Sequence, residues 1–599
     1  MKKIIVLVIA LIFISCNNGF LDQVPDDQLT FESTFQKKET VEQYLANIYS
    51  RIPNEYAQRY PNSQNGGPWT GASDEAEYVW SFTLSNSLNI GSWDPTNGSV
   101  WYLWSSFYQG IRASSTFINN IDNCEDCGDA LKKQYAAEAR VLRAFFYYNI
   151  IRTYGPAVLV GDQPYDANAN FSDLERNSID DCVAYIVEQL DIAANDLKDV
   201  IMEGNEGRMN RPFALAIKEK TLLLAASPLF NGNSDYADLK DSQGQNLISQ
   251  NVDVNKWKAA ADAAKAFFNE FVPSTYHLYK VYNDDGSYNP YLSCREVMAD
   301  EWNEEMIYER PRGDIYTYYE ETPYHVGAQN EVRGSGGLGA TQEMVDAFFM
   351  ANGRSITDPQ SGYEETGFSD FQAPGDIQSR STFNQWVNRE PRFYVDITYN
   401  NSLWLNRRYG NIITTTWYKG NSGRLAGGND YSPTGYIARK NIPKDAPTNS
   451  ISGGRAIPML RLAELYLDYA EALNEYNPGN PEIMLYLNKI RERAGIPEYG
   501  SQNLQAPQGQ VAVRDAIHKE RRVELAFESV RYFDLRRWKV AEEHLNGPAH
   551  GLDINAENES DFYHVVTFEN RIFENRHYLW PIPQSELSAN PNLIQNTGW

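Results

Sequence analysis

The chain has 599 residues, of which 42% are hydrophobic and 13% aromatic, so it can bury a large core. Its formal net charge of −26 at pH 7 repels phosphate backbones and anionic lipid surfaces, which argues against nucleic-acid binding. Beyond Gly91 no apolar run approaches membrane-spanning length. We therefore expect a soluble body whose membrane contact, if any, comes from an attached lipid.

The N-terminus has the pattern of a lipoprotein signal peptide. Lys2 and Lys3 precede an apolar stretch at residues 4–14, and the small Ser15 comes just before Cys16. The apolar stretch is too short to span a bilayer, so the pattern predicts export and a lipid on the Cys16 thiol. An ordinary secretory signal, with Cys16 incidental, is the alternative.

Helical periodicity recurs along the chain. Apolar residues at spacings of three and four predict helices over 137–154, 182–197, 211–229, 257–271, 463–475 and 481–494. The turn Asn477-Pro478-Gly479 would join the last two into a hairpin. Trp101, Trp104 and Tyr108 are expected to begin another helix whose face is core. Paired helices of this kind resemble tetratricopeptide hairpins, although no strict 34-residue repeat can be read.

Long segments between these helices lack helical periodicity. They span 54–99, 281–340 and 353–455 and are rich in Gly, Asn, Tyr and Trp. Long loops inside a compact chain are usually functional. The predicted fold class is therefore mainly α, with tetratricopeptide-like hairpins (mainly 100–272 and 456–540) packed against an irregular loop-rich half with a few short strands.

Four cysteines follow Cys16. Cys124 and Cys127 have the spacing of a redox or half-zinc motif, but no second CxxC or HxxxH completes a metal site. In an exported protein a local disulfide, or two free thiols, is the better interpretation. Cys182 and Cys294 carry no motif, and we expect neither a metal nor a cofactor.

An acidic turn at Asn283-Asp284-Asp285-Gly286 could suggest calcium. In the EF-hand frame, however, the first ligand would be Val281 and the bidentate position would be Leu292, which excludes that loop type. A simple turn is the expectation.

A charged run near the C-terminus could hide catalytic carboxylates, because Glu524 and Glu528 lie one helical turn apart. The run contains Arg521, Glu524, Glu528, Arg531, Asp534 and Arg537. Their spacings of three and four bring opposite charges onto one helix face. Neighbouring arginines would keep the carboxylates ionised and unable to donate protons, so we predict a structural ion-pair network and no catalytic residue.

Several stretches together resemble the SusD/RagB family of surface glycan-binding lipoproteins of Gram-negative bacteria. They are Gly19-Phe20-Leu21-Asp22, residues 340–348 followed by Asn352-Gly353, residues 457–474 with 487–491, residues 517–538, and residues 579–583 with Gln595-Asn596. Their order and spacing extend across nearly the whole mature chain.

This resemblance implies a helical scaffold with a loop-rich side that holds the ligand. It also implies a partner, a SusC-like TonB-dependent outer-membrane β-barrel into which captured oligomers pass, and a lipid-anchored location in the outer membrane facing the cell exterior. On this basis residues 1–15 would be the signal peptide, 16–30 the lipid tether, and 31–599 a single SusD-like domain.

Glycan sites need exposed aromatic planes with polar groups at their edges. Trp69, Trp80 and Trp93 lie in loop-like sequence and are ligand candidates. In the family, the loop just before the helix that Trp101 is expected to begin supplies a stacking Trp and a nearby Asn. The resemblance assigns these roles to Trp93 and Asn97.

A second aromatic cluster lies just before residue 340. It contains Tyr316, Tyr318, Tyr319 and Tyr324, and family members place further ligand-contacting aromatics in this loop. In an extended conformation Tyr316 and Tyr318 would point the same way. Packing of these rings on the protein itself is the alternative.

The favoured function is non-enzymatic capture of an oligosaccharide or polysaccharide, followed by delivery to the transporter. A binder of peptides or another nutrient in the same complex is one alternative. The other alternative is a glycan-cleaving enzyme. Such an enzyme would need two carboxylates at a fixed separation, and no sequence motif indicates them.

Overall fold

The computed structural model describes residues 31–162, 171–172, 174–199, 204–315, 317–326, 334–404, 413–443 and 453–599. The predicted signal peptide and tether, the predicted lipidation site Cys16, and the ligand candidate Tyr316 lie outside the described residues. Within the described part of the chain, no helix is both long enough and apolar enough to cross a membrane.

The described residues fold mainly into helices, which confirms the predicted fold class. The first nine are α1 Phe31–Thr34, α2 Lys38–Tyr49, α3 Leu84–Asn89, α4 Gly98–Asn120, α5 Asp129–Tyr154, α6 Ile179–Ala194, α7 Arg211–Ala226, α8 Val254–Phe271 and α9 Pro290–Glu296. They are followed by α10 Thr317–Glu321, α11 Gln342–Ala347, α12 Pro391–Asp396, α13 Arg424–Gly427, α14 Leu462–Tyr476, α15 Pro481–Ala494, α16 Gln510–Glu524, α17 Arg531–Arg537, α18 Ala541–His544, α19 Glu559–Phe562 and α20 Gln584–Ala589.

The strands form two-stranded antiparallel pairs. They are β1 Ala76–Tyr78 with β3 Leu338–Ala340, β2 Met306–Ile315 with β10 Gly453–Arg461, β4 Phe368–Phe371 with β5 Arg380–Phe383, β6 Ile397–Thr398 with β9 Ile437–Ala438, β7 Ser402–Leu403 with β8 Ile413–Thr414, and β11 Gly547–Leu552 with β12 Val565–Arg571. Most strands lie in the segments that the sequence marked as loop-rich.

Local sequence signals explain where the long helices begin and end. In α15 the Asn480 side chain accepts a hydrogen bond from the Glu482 backbone N–H, and Pro481 occupies the first turn, where its missing N–H costs nothing. Gly495 ends the helix at φ 75°, a left-handed conformation that favours glycine. Gly155 ends α5 at φ 80° and ψ −143°, a different conformation that glycine also adopts more readily than residues with a side chain.

The long helices pack in chain order. Each of α4 to α7 contacts the next helix, α8 packs on α14, and α14 packs on α15. Across the last hairpin the ring of Tyr486 lies 4.9 Å from that of Tyr466 and 5.1 Å from that of Tyr469. The largest hydrophobic core lies among these helices and includes Trp580 near the C-terminus.

A second core lies within the loop-rich half. It joins β1 and β3 to α11 and α12, with Trp386 among its fully buried side chains. The loops of this half therefore have a packed base of their own.

The charged run belongs to a structural ion-pair network, as predicted, but it does not lie on one helix face, because α16 ends at Glu524 and α17 begins at Arg531. Arg521 contacts Asp534 at 2.7 Å and Asp468 at 2.6 Å, and Arg537 contacts Asp534 at 2.9 Å. Burial favours the neutral acid, but the Arg521 and Arg537 guanidinium groups outweigh it and hold the pKa of Asp534 well below its ordinary value. These charges stabilise the packing of α14, α16 and α17.

Cys124 and Cys127 form a disulfide, which is one of the two states expected for them, the other being two free thiols. Among the described residues, the group of possible metal ligands close enough to share an ion is Cys124, Asp126 and Cys127. Because both sulfurs are joined to each other, the group offers no thiolate for a metal. Cys182 and Cys294 are buried free thiols.

Candidate functional site

The pairing of β1 with β3 positions Trp80. Tyr78 lies opposite Leu338, and the Val79 backbone N–H donates to the Gly337 carbonyl at 3.0 Å. A Cβ at Gly337 would overlap the Trp80 ring, so only glycine lets the indole lie against this backbone. The indole is thus held at the edge of the β1–β3 pair.

Tyr319 lies beside Trp80. Its ring is nearly parallel to the indole, with centroids 6.1 Å apart and an angle of 11° between the planes. Tyr319 belongs to the short helix α10, in which consecutive side chains point about 100° apart. Tyr318 therefore turns the other way, into a core cluster with Tyr56 and Trp404.

Asp430 connects the two rings. One of its carboxylate oxygens accepts a hydrogen bond from Trp80 Nε1 at 3.2 Å, and the other accepts one from the Tyr319 hydroxyl at 3.0 Å. A carboxylate that receives both donors fixes the orientation of the indole and the phenol together.

Two more rings extend this aromatic surface into solvent. Phe82 is 56% exposed and Tyr60 is 49% exposed, and the two rings stack at 5.7 Å with an angle of 14°. Phe82 lies 6.3 Å from Trp80. Trp80 itself is only 7% exposed, so it forms the base of the surface, while Phe82 and Tyr60 offer accessible ring area.

Arg59 completes the arrangement. Its guanidinium carbon lies 3.8 Å from the centroid of the Trp80 ring and 5.1 Å from that of Tyr319, within the range of cation–π attraction. We call Arg59, Tyr60, Trp80, Phe82 and Tyr319 the Trp80 platform.

Tyr324 lies next to the loop that carries Asp430. A Cβ at Gly427 would contact the Tyr324 ring at 3.8 Å, and the Gly427 carbonyl accepts the Asp430 backbone N–H at 3.1 Å. The Tyr324 ring is half-buried. It therefore belongs to the same group of loops as the platform.

A buried carboxyl lies beneath the platform. Glu320 accepts a hydrogen bond from the Tyr78 hydroxyl at 2.7 Å. Burial raises the pKa of Glu320 to about 7, although the Tyr78 hydroxyl and the charge of Arg59 act in the opposite direction. Glu321, hydrogen-bonded to Asn441, has its pKa raised to about 7 by the same cause.

Trp69 lies in the core. It is 2% exposed, its Nε1 donates to Glu55 at 2.6 Å, and its ring packs on Tyr532, Phe533 and Trp580. Protein side chains therefore cover this ring in the structure.

Trp93 is also buried, at 6% exposure, against His577, Trp580 and Trp599 of the C-terminal segment. Asn97 lies in the turn just after it, where its backbone N–H donates to the Asp94 carbonyl at 3.1 Å. Ligand contact by the candidates Trp69, Trp93, Asn97 and Tyr318 stays a prediction, and these four residues are not part of the platform. Tyr316 lies outside the described residues, so its role also stays a prediction.

Sequence reasoning did not single out Arg59, Tyr60, Phe82 or Asp430. Phe82 follows Trp80 at a spacing of two, the alternation that places two rings on one side of an extended segment, and this signal could have indicated it. Asp430 has no such signal, since it comes from a loop 350 residues away in the sequence.

Comparisons with known proteins agree with this architecture. The model of the SusD family matches residues 297–599, and a second family model, described as starch-binding and associating with the outer membrane, matches residues 19–220. A SusD-like protein of Bacteroides ovatus is 22% identical over 547 residues, which cover 90% of this chain and 82% of that protein.

Solved structures share the fold. The structure of BT4246 superposes with a TM-score of 0.81 at 24% identity and covers 94% of this chain and 100% of that one. A structure named laminarin binding SusD-like protein has a TM-score of 0.56 at 18% identity and covers 94% of this chain and 100% of its own. These matches confirm the resemblance seen in the sequence. Because the SusD family model alone spans just over half of the residues, the chain belongs to the SusD family.

Proposed function

We propose that this protein captures oligosaccharides or polysaccharides at the cell surface by stacking them on the Trp80 platform. The observation that carries the proposal is the pair of half-exposed parallel rings, Tyr60 and Phe82, on the loop-rich side of a SusD-family chain. The flat C–H faces of sugar rings pack on aromatic planes, and polar groups at the edges fix the hydroxyls. Arg59 and Asp430 supply such groups.

Three of the aromatic residues predicted from the sequence, Trp80, Tyr319 and Tyr324, are included in this proposal. Trp80 and Tyr319 form the base of the platform, and Tyr324 borders it. Tyr60 and Phe82 supply the ring area that a ligand would cover first.

We further propose that the captured glycan passes to a SusC-like TonB-dependent outer-membrane β-barrel. The protein would be held in the outer membrane, facing the exterior, by a lipid on Cys16. Support comes from the second family description, which includes association with the outer membrane, and from the signal-like N-terminal sequence. The name of the laminarin-binding neighbour supports a glycan as the captured ligand.

The role proposed here is binding without cleavage. Glu524 and Glu528, the carboxylates spaced for catalysis, are engaged by Arg461 at 2.7 Å and 2.6 Å. Burial alone would raise the pKa of Glu524, but the guanidinium groups of Arg493, Arg461 and Arg392 hold it well below its ordinary value. A carboxylate kept ionised in this way is a poor proton donor.

Calorimetric titration of the chain lacking residues 1–16 against plant, algal, fungal and host polysaccharides tests the proposal. We expect Phe82→Ala to weaken binding about tenfold, because the lost stacking and buried area together amount to roughly 1.4 kcal/mol. Phe368→Ala is the matched control: Phe368 is 51% exposed but packs on Phe383 and Tyr563 of the β4–β5 region.

Each mixture is also analysed for new reducing ends. Binding that is lost in Phe82→Ala and kept in Phe368→Ala, without cleavage, supports capture at the platform. New reducing ends would show that the protein cleaves glycans, and hydrolysis would then replace capture as the proposed function. If no glycan binds in the titrations but a peptide mixture does, the peptide alternative is favoured.

A further inference from the structure

The guanidinium of Arg59 is surrounded by aromatic rings. Besides Trp80 and Tyr319, its guanidinium carbon lies 5.2 Å from the Tyr60 centroid and 5.7 Å from the Phe82 centroid. All four rings of the platform are thus within about 6 Å, the distance over which a cation is attracted to an aromatic face.

Within the described parts of the chain this guanidinium forms no ion pair and donates no hydrogen bond, and its Nε is buried without a partner. Its charge does act on the buried Glu320, where it opposes the rise in pKa that burial causes. The side chain is half-buried. The rings thus hold the flat face of the guanidinium, while the described residues accept no hydrogen bond from its N–H groups. Such a cation can bind an anion.

The chemistry of arginine favours this use. A guanidinium is planar, always charged and weakly hydrated, so it can stack on a ring and still present its fork of N–H donors to a carboxylate or a sulfate. The surrounding rings exclude water from one side, which strengthens the attraction to an anion relative to an open surface.

Two nearby carboxyls act against an anionic ligand, and neither cancels Arg59. Both oxygens of Asp430 accept hydrogen bonds from Trp80 and Tyr319, which orients that carboxylate toward the rings. Glu320 is fully buried and hydrogen-bonded to Tyr78. Neither carboxylate forms an ion pair with Arg59.

The net charge of −26 also repels anions at long range. Salt screens charges separated by more than about 8 Å at physiological ionic strength, so short-range contacts decide which ligand is held.

We infer that Arg59 selects acidic glycans: the Trp80 platform receives a saccharide whose uronic carboxylate or sulfate ester binds the N–H edge of Arg59 while a sugar ring stacks on Phe82 and Tyr60. This inference rests on the proposed function and specifies its ligand class. A carboxylate and a sulfate ester each present a pair of anionic oxygens that can accept the two parallel N–H donors of the guanidinium fork.

Matched pairs of probes test the inference by calorimetry on the chain lacking residues 1–16. One arm compares oligogalacturonides, alginate oligomers and glucuronan oligomers with the same oligomers after carboxyl reduction. The other compares sulfated galactan oligomers with their desulfated forms. Neutral glucans and mannans complete the panel. The first two arms distinguish a carboxylate from a sulfate as the anion.

We expect at least one acidic probe to bind and its neutral counterpart to bind about tenfold or more weakly, which corresponds to the loss of a charge-assisted hydrogen bond. Arg59→Gln should lower the affinity for the acidic form much more than the affinity for the neutral form, so that the preference between them is lost. Arg59→Lys should keep part of it, because the charge remains but the planar fork is lost. The acidic affinity should also fall as salt rises.

A purely structural role for Arg59 gives another pattern. If Arg59 only supports the Trp80 ring, then Arg59→Gln will weaken acidic and neutral probes equally, and the inference is overturned. Equal binding of acidic and neutral partners by the unaltered protein also overturns it, while capture at the platform survives through the Phe82→Ala test. Binding of no glycan at all contradicts both. Thermal unfolding of each Arg59 variant shows that the comparison is made on folded protein.

Discussion

The arginines of the interior and Arg59 of the platform differ in their partners. Arg461 contacts three carboxylates, those of Glu305 at 2.8 Å, Glu524 at 2.7 Å and Glu528 at 2.6 Å. Arg59 lies against rings and, among the described residues, forms no ion pair, although its charge acts on the buried Glu320. Interior guanidinium groups that are fully paired hold elements together, whereas a guanidinium held only by rings keeps its hydrogen-bonding capacity for a ligand.

The two regions also treat their carboxyls differently. Glu524 is buried among three arginines and its pKa is held well below the ordinary value, despite burial. Glu320 is equally buried beneath the platform, with a tyrosine hydroxyl as its hydrogen-bond partner, and its pKa is raised to about 7. The presence of paired guanidinium groups therefore decides which buried acid is charged at neutral pH.

Breaking the interior network should have the largest effect. Glu524→Gln removes the charge that Arg392, Arg461 and Arg493 share, and leaves buried cations without full compensation. We expect the free energy of unfolding to fall by about 3–5 kcal/mol in urea denaturation. Glu557→Gln, which removes an exposed carboxylate 3.5 Å from Lys419, should change it by less than about 0.5 kcal/mol. Equal effects would show that the network is not structural.

The acid beneath the platform should respond to pH with the opposite sign from Glu524. An unfolded Glu titrates near pH 4.5, but folded Glu320 titrates near 7, so the folded state holds an extra proton between these values. Its stabilising contribution is complete below pH 4.5 and is lost as pH rises through about 7.

Glu320→Gln should remove this dependence. We expect the variant's stability to fall less steeply between pH 5 and pH 7, by at most about 1.4 kcal/mol per pH unit. Urea unfolding at several pH values measures the difference. Parallel profiles for the variant and the unaltered chain would mean that Glu320 is already ionised.

Loosening the platform should have a smaller effect, on binding alone. Asp430→Ala removes the acceptor of Trp80 Nε1 and the Tyr319 hydroxyl, so the base of the platform loses its fixed orientation. We expect glycan affinity to fall about three- to tenfold, in line with roughly 1 kcal/mol for a hydrogen bond. Asp430→Asn, which keeps one acceptor oxygen, should lose less. If calorimetry shows unchanged glycan affinity in both variants, Asp430 does not contribute to ligand binding.

Much of the helical scaffold could be predicted from the sequence. Residues 481–494 were assigned to a helix, and α15 has those bounds, because Asn480, Pro481 and Gly495 are local signals. The sequence predicts an ion-pair network but not its partners: the helix ends at Glu524, and Glu524 and Glu528 pair with Arg461 of a distant segment. Asp534 and Arg537 do pair at a helical spacing of three.

The site was harder to predict because ring exposure depends on distant partners. Trp93 is covered by His577 and Trp599, about 500 residues later in the chain. Trp80 becomes the base of the platform through Asp430 and Gly337, which no local pattern connects to it. Composition indicated the loop-rich half correctly as a place of exposed rings, but it could not separate covered rings from accessible ones.

A crystal structure of the chain lacking residues 1–16 with its tightest-binding oligosaccharide would show directly where the ligand lies. We expect a sugar ring about 4 Å from the rings of Phe82 and Tyr60, with an acidic group at the edge of Arg59. A ligand bound on another surface, with Phe82 and Tyr60 still in solvent, would contradict it.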